Sequence, residues 1–200
     1  MDADNDQTTF NRIWQLFWML IIFATAPLAQ AQSNPVATRH RLAINASHFT
    51  LDDRPFPYTG VSFFNAIYNP AFNASAEARL KWLRKFQGYG INVLRVWCQW
   101  DSGLGFVDAS PQSTLYDADG ALRPAPLATL KSILADADQL GMCLEIVIFS
   151  QESFLQKIHL AAPADERAVA ALTRELAPFR NAAFQIWNHI TRQIFGLAGL

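Results

Sequence analysis

The sequence lacks most of the features that would assign it to a nucleic-acid, nucleotide or metal class. No basic run is present that could neutralise phosphates, and the net charge is −1 over 200 residues, so a general nucleic-acid binder is excluded. No glycine-rich phosphate loop follows any predicted strand, which removes support for nucleotide binding. His40, His48 and His159 are scattered and lack metal-ligand spacing, so neither a metal nor another cofactor is expected. Charged residues are only 16% of the chain against 51% hydrophobic, which excludes a disordered tail and implies one domain with a sizeable core. Cysteine is limited to Cys98 and Cys143. The strands assigned below place these at opposite ends of a parallel sheet, too far apart to bridge, and predict two free, mostly buried thiols.

What is present begins with an apolar segment, Ile13–Ala24, followed by Pro27 and Ala29-Gln30-Ala31. A hydrophobic region ahead of an Ala-x-Ala site predicts a secretory signal peptide over residues 1–31, cut after Ala31. The mature chain is then secreted or periplasmic and has no membrane association. The first residues carry Asp2, Asp4 and Asp6 against Arg12, so an uncleaved anchor is the other reading. The apolar run is short for a span, which needs about 20 residues. Residues 32–40 read as a loose polar leader. Sequons at Asn45-Ala-Ser47 and Asn73-Ala-Ser75 matter only in a host that glycosylates its secreted proteins.

The rest of the chain is organised around Ile91–Asp101, written Ile-Asn-Val-Leu-Arg-Val-Trp-Cys-Gln-Trp-Asp. Its near-continuous apolar run predicts a parallel strand covered on both faces. Arg95 interrupts that run, and with a period of two it shares a face with Ile91, Val93 and Trp97. An arginine in such a place needs a partner. Before this strand, Arg41–Asn45, His48–Leu51 and Arg54–Tyr58 predict a hairpin turning at Asp52-Asp53, plausible as a lid on one end of the main sheet, and Thr59–Phe64 predicts the first core strand. Ser75 caps a helix over Ala76–Gln87, with Leu80, Leu83 and Phe86 inward and Arg79, Lys81, Arg84 and Lys85 mostly solvated. A long loop, Cys98–Arg123, separates the second strand from a helix that Pro124 opens and Gly141 ends. Met142–Phe149 is the third strand. Ser150–Ala164 reads as a loop, Asp165 as the cap of a helix over Glu166–Phe179, and Ala183–Trp187 as the fourth strand. This β, α, β, α, β, α, β order requires a parallel sheet with right-handed crossovers. An open doubly wound sheet and part of a (β/α)8 barrel both fit.

Three stretches carry a family resemblance. Phe49-Thr-Leu-Asp-Asp-Arg-Pro-Phe-Pro-Tyr-Thr-Gly-Val-Ser-Phe-Phe-Asn65 resembles the opening hairpin and first strand of family 5 and related clan A glycoside hydrolases. Gly90-Ile-Asn-Val-Leu-Arg-Val-Trp97 is similar to their second strand, and Phe184-Gln-Ile-Trp-Asn188 to their fourth. The resemblance covers about Phe49 to Asn188. It implies an α/β fold, a partial (β/α)8 TIM barrel of about four βα units with an N-terminal β-hairpin, over residues 41–200. It also implies a polysaccharide or oligosaccharide partner and, in the parent activity, retaining hydrolysis of O-glycosidic bonds.

The departures from the family are equally specific. His189 stands where the family has its acid/base Glu, and no stretch of this sequence corresponds to the seventh strand that carries the nucleophile. A retaining glycosidase needs two carboxyls about 5–5.5 Å apart, and a histidine cannot supply the nucleophile. A full barrel takes about 250 residues. The chain is therefore expected to be the N-terminal half of a barrel, truncated or frame-shifted, and inactive. Arg95, Trp97, Trp100 and Asn188 are the candidate substrate-binding residues by resemblance and by position at strand ends. Structural pairing of Arg95, core packing of Trp97 and Trp100, and a loop-satisfying role for Asn188 are the competing readings, and core packing is the favoured one for Trp187. Glu145 is expected to be paired or at the barrel wall, Glu152 could line the cleft, and Asp101 and Asp108 are expected to be solvated. A non-catalytic carbohydrate-binding protein and an unrelated doubly wound domain remain the alternatives.

Overall fold

The computed structural model describes residues 38–101, 109–155 and 160–187. The expected signal peptide at 1–31, most of the 32–40 leader, Asp108, Asn188 and His189 lie outside these residues.

The described chain opens with three antiparallel strands, β1 (Leu42–Asn45), β2 (His48–Leu51) and β3 (Arg54–Pro55), in that order. Leu51 pairs with Arg54, and the two residues between them, Asp52 and Asp53, have φ of 52° and 64°. A two-residue hairpin loop of the primed type needs positive φ at both positions, which aspartate tolerates. The Asp52 carboxylate accepts bonds from His40 Nδ1 at 2.6 Å and the Arg41 N–H at 2.8 Å, and these hold its carboxyl below the usual range. The end of the polar leader is not loose. The Arg39 and His40 N–H groups donate to Asp138 at 2.8 and 3.0 Å, and Thr38 Oγ1 accepts from the Arg180 N–H at 2.6 Å.

The main sheet holds β4 (Gly60–Ser62), β5 (Val93–Trp97), β6 (Cys143–Phe149) and β7 (Ala182–Trp187). All neighbours are parallel, and the spatial order equals the chain order. Alternation along the strands separates two faces. Leu94, Val96, Leu144, Ile146 and Ile148 enter one core with helix residues Leu83, Leu130, Ile133, Leu134 and Leu172. Each such fully buried aliphatic side chain contributes about 1.5–3 kcal/mol. Val93, Arg95, Trp97, Cys143, Glu145 and Val147 occupy the other face.

Helix α1 (Ala76–Gly88) starts where Ser75 Oγ accepts the Ala78 N–H at 3.0 Å, as the sequence predicts. It stops at Gly90, whose φ of 78° suits the left-handed residue after a helix. Arg79 is not solvated: its Nε lies 2.6 Å from Asp136, with both side chains about nine-tenths covered. That bond ties α1 to α2 (Pro124–Asp138), and neither charge could be kept there without the other. After β6 comes a short helix, α3 (Gln151–Leu155), inside the stretch expected as loop. Helix α4 spans Ala162–Leu176, so it begins three residues before Asp165, with Pro163 in its first turn. Asp165 sits inside that turn and does not cap it.

The hairpin sheet lies at the N-terminal end of the parallel strands. Thr59 O accepts the Asn92 and Val93 N–H groups, and Leu42 N–H donates to Arg180 O ahead of β7. Cys143 falls at this end, in register with Val93, while Cys98 follows the last residue of β5 at the other. Both thiols are free and buried, and burial pushes each up to about 12. Among the described residues no helix is long and apolar enough to cross a membrane.

Candidate functional site

Arg95 is the middle residue of β5, two positions before its end. Register sets it beside Glu145 of β6, and its Nε lies 3.1 Å from Glu145 Oε1. The same Nε donates to Gln185 Oε1 of β7 at 3.0 Å, and a terminal guanidinium nitrogen also bonds Gln185. From the hairpin side, the Tyr58 hydroxyl donates to Glu145 Oε2 at 3.0 Å. Burial, followed by the Glu145 charge, pushes the Tyr58 hydroxyl far above its ordinary range. Three strands and the approach to β4 thus meet in one network in which both Glu145 oxygens are engaged. Glu145 is paired, one of the two outcomes expected of it. The network holds Arg95 in place, while the guanidinium still lies 4.7 Å from the centre of the Trp97 ring.

Trp97 is 1% exposed and Trp100 is 7% exposed, whereas Phe64, two residues past β4, is 44% exposed. The Phe64 ring lies 4.5 Å from Trp97 and 5.2 Å from Trp100, stacked on the latter at 22°. Phe63 faces the opposite way and packs on Phe72 and Phe86 of the helix-side core. Both residues follow the last residue of β4, and the turn that begins at Phe64 leaves its ring outward at the C-terminal end of the sheet. The three rings form an aromatic shelf whose accessible member is Phe64. The Trp97 indole N–H is buried and makes no hydrogen bond among the described residues, which is an unmet donor. Trp187 packs 5.1 Å from Phe149 and lies, part buried, against the core.

The loop after β5 is folded back on the sheet. Gln99 pairs with Thr114 and Tyr116 with Leu122 in two short antiparallel bridges, and Leu115 N–H donates to Cys98 O at 2.9 Å. Asp101, expected to be solvated, is 5% exposed and bonded to Ser153 Oγ of α3. Burial raises its carboxyl above the usual range, against the opposing effect of the Ser153 bond. Glu152 accepts the Ser150 hydroxyl at 2.8 Å. Both carboxylates that follow β5 and β6 are therefore bonded to serines. Among the described residues no cluster of three or more His, Cys, Asp or Glu is placed to hold a metal.

Of the predicted site residues, Arg95, Trp97 and Trp100 come together, and Asn188 lies outside the described residues. Phe64 and Gln185 were missed. Phe64 could have been found as one of two adjacent phenylalanines at the end of the predicted first core strand, but nothing in the sequence marks Gln185.

No family model and no curated protein matches the chain. Solved structures do. A glycoside hydrolase family 5 structure from Bacteroides vulgatus ATCC 8482 aligns with a TM-score of 0.55 at 14% identity, over 76% of this chain and 33% of its own. A second structure, described as a glycoside hydrolase, aligns with a TM-score of 0.55 at 14% identity, over 77% of this chain and 35% of its own. The chain thus spans about a third of the length of the structures it matches. At this identity the likeness is one of fold, and over its parallel sheet and flanking helices the chain has the fold found in glycoside hydrolases.

Proposed function

We propose that the chain is a glycoside hydrolase-like protein that engages a polysaccharide at the C-terminal end of its sheet and does not cleave it by itself. The observation that carries this reading is the aromatic shelf of Phe64, Trp97 and Trp100 at the sheet end where α/β folds bind ligands. The exposed face of Phe64, backed by two indoles, suits the apolar face of a sugar ring. The strand order supports four consecutive units of a barrel, since a doubly wound sheet reverses direction within its order. The inactive reading is supported by the engagement of the described carboxylates: Glu145 is tied to Arg95 and Tyr58, Asp101 is bonded to Ser153, and Glu152 is bonded to Ser150. Export after Ala31 would put the chain where such polymers occur.

The test is affinity electrophoresis and calorimetry on β-glucan and β-mannan, with a reducing-sugar assay alongside. Binding without turnover is expected. Phe64→Ala should weaken binding about tenfold or more, because the ring buries about 1.5–3 kcal/mol of apolar surface when covered. Its thermal stability should change little, since the ring is already part exposed. Turnover by the purified chain would overturn the inactive reading, and unchanged affinity in Phe64→Ala would remove the shelf from the site.

A further inference from the structure

Asp101 is a carboxyl buried at the end of a strand, bonded to a hydroxyl 52 positions away in sequence. Ser153 is fully buried as well. A second tie lies next to it: Gln99 Oε1 accepts the Ser150 N–H at 3.0 Å. The two ties alternate along the chain, Gln99 to Ser150 and Asp101 to Ser153, and Trp100 sits between the two residues that make them. The Trp100 N–H donates to Ser113 O at 2.7 Å, so this segment is held on two sides. We infer that Asp101 is a positioning residue: its bond to Ser153 latches the segment carrying Trp100 to the start of α3 and thereby fixes the aromatic shelf.

The latch responds to pH in a defined direction. Ser153 and Thr114 donate to Asp101 and Arg123 attracts it, and all three favour the carboxylate, yet burial outweighs them and favours the neutral acid. The Tyr68 hydroxyl and the Cys98 thiol face the same region, but burial keeps both uncharged across the neutral range. Glu152 is the other carboxyl nearby, and it is bonded to Ser150. A carboxyl with a raised folded-state value stabilises the fold fully at acid pH and loses that contribution as pH rises through the raised value. Burial of the neutral acid therefore stabilises the segment most in acid, and that contribution is lost as pH rises through the raised value and the carboxylate forms in a covered place, although the Ser153 bond taken alone favours the carboxylate. The latch is a property of the chain's own loop, so it stands apart from the carbohydrate reading, and its test needs no sugar.

The experiment is fluorine NMR of the full chain carrying fluorotryptophan, from about pH 4 to about pH 8, with the Trp100 resonance assigned by Trp100→Phe. In the native protein that resonance should move in one step, with a midpoint above the about 3.9 of an ordinary aspartate. Asp101→Asn keeps an acceptor for Ser153 without the charge, so the resonance should stay at its acid position throughout. Ser153→Ala removes a bond that favours the ionised form, so the midpoint should rise further. Asp101→Ala should displace the resonance at every pH. A native protein with no step, or a step that survives in Asp101→Asn, would overturn the assignment, and the second result would point to Glu152 instead.

Discussion

Replacing Trp97 by alanine is expected to cost about 3–5 kcal/mol of fold stability, not merely ligand affinity. The indole is 1% exposed and supports Phe64 at 4.5 Å and the Arg95 guanidinium at 4.7 Å. Its loss leaves a cavity that both neighbours border, and it strips Arg95 of the ring beside it. Denaturant unfolding followed by circular dichroism measures this. Trp97→Phe keeps most of the volume and should cost well under half as much. The comparison with Phe64→Ala matters for reading binding data. Lost affinity in Trp97→Ala reports a collapsed shelf, whereas lost affinity in Phe64→Ala with an intact fold reports a contact. A Trp97→Ala protein as stable as the parent would contradict the packing described here.

Gly120→Ala should be as damaging. Gly120 closes the turn after Asp117, with its N–H on Asp117 O at 2.9 Å and a φ of 84°. A side chain there adopts the left-handed region at about 1–2 kcal/mol. The larger cost is steric. A Cβ at this position would lie 2.1 Å from the carbonyl oxygen and 2.9 Å from the carbonyl carbon of Ala164, in the first turn of α4. These are backbone atoms and cannot rotate aside, so the turn or the helix start must move. A loss of about 4 kcal/mol or more is expected, in the range reserved for a named structural fault. For a domain of this size that is a fall in Tm of about 10 °C. Gly88→Ala is the internal control. Nothing lies within 4 Å of its added Cβ, and alanine is the better helix former, so this substitution should be neutral or slightly stabilising. Equal melting of the two variants would show that the close approach of Gly120 to α4 is not a constraint.

Local signals carried the fold a long way. The apolar runs placed four strands, Ser75 marked a helix start to the residue, and the strand positions of Cys98 and Cys143 foretold unpaired thiols. What escaped was set by contacts between distant residues. Arg79 looks like any solvated helix cation until Asp136, 57 positions on, is brought against it. Asp101 looks like a loop aspartate until the end of β6 delivers Ser153. The partners of Arg95 are fixed by the register of β5 on β6 and by β7 beyond, and register is not written in either strand alone. The start of α4 is hidden for a different reason: Asp165 looks like a cap but sits inside the first turn, which its acidic side chain also suits, while Pro163 marks the true start. In the site, the large indoles are the buried members of the shelf. The accessible ring is Phe64, in the turn that follows β4, while Phe63 beside it packs into the helix-side core.

The pair of unbridged cysteines gives the molecule two sealed reporters, one at each end of its sheet. Only the thiolate reacts with disulfide reagents, and both groups are held almost entirely in the inert form while they stay covered. Labelling therefore waits on fraying, and the order in which Cys143 and Cys98 become reactive tells which rim of the sheet breathes first.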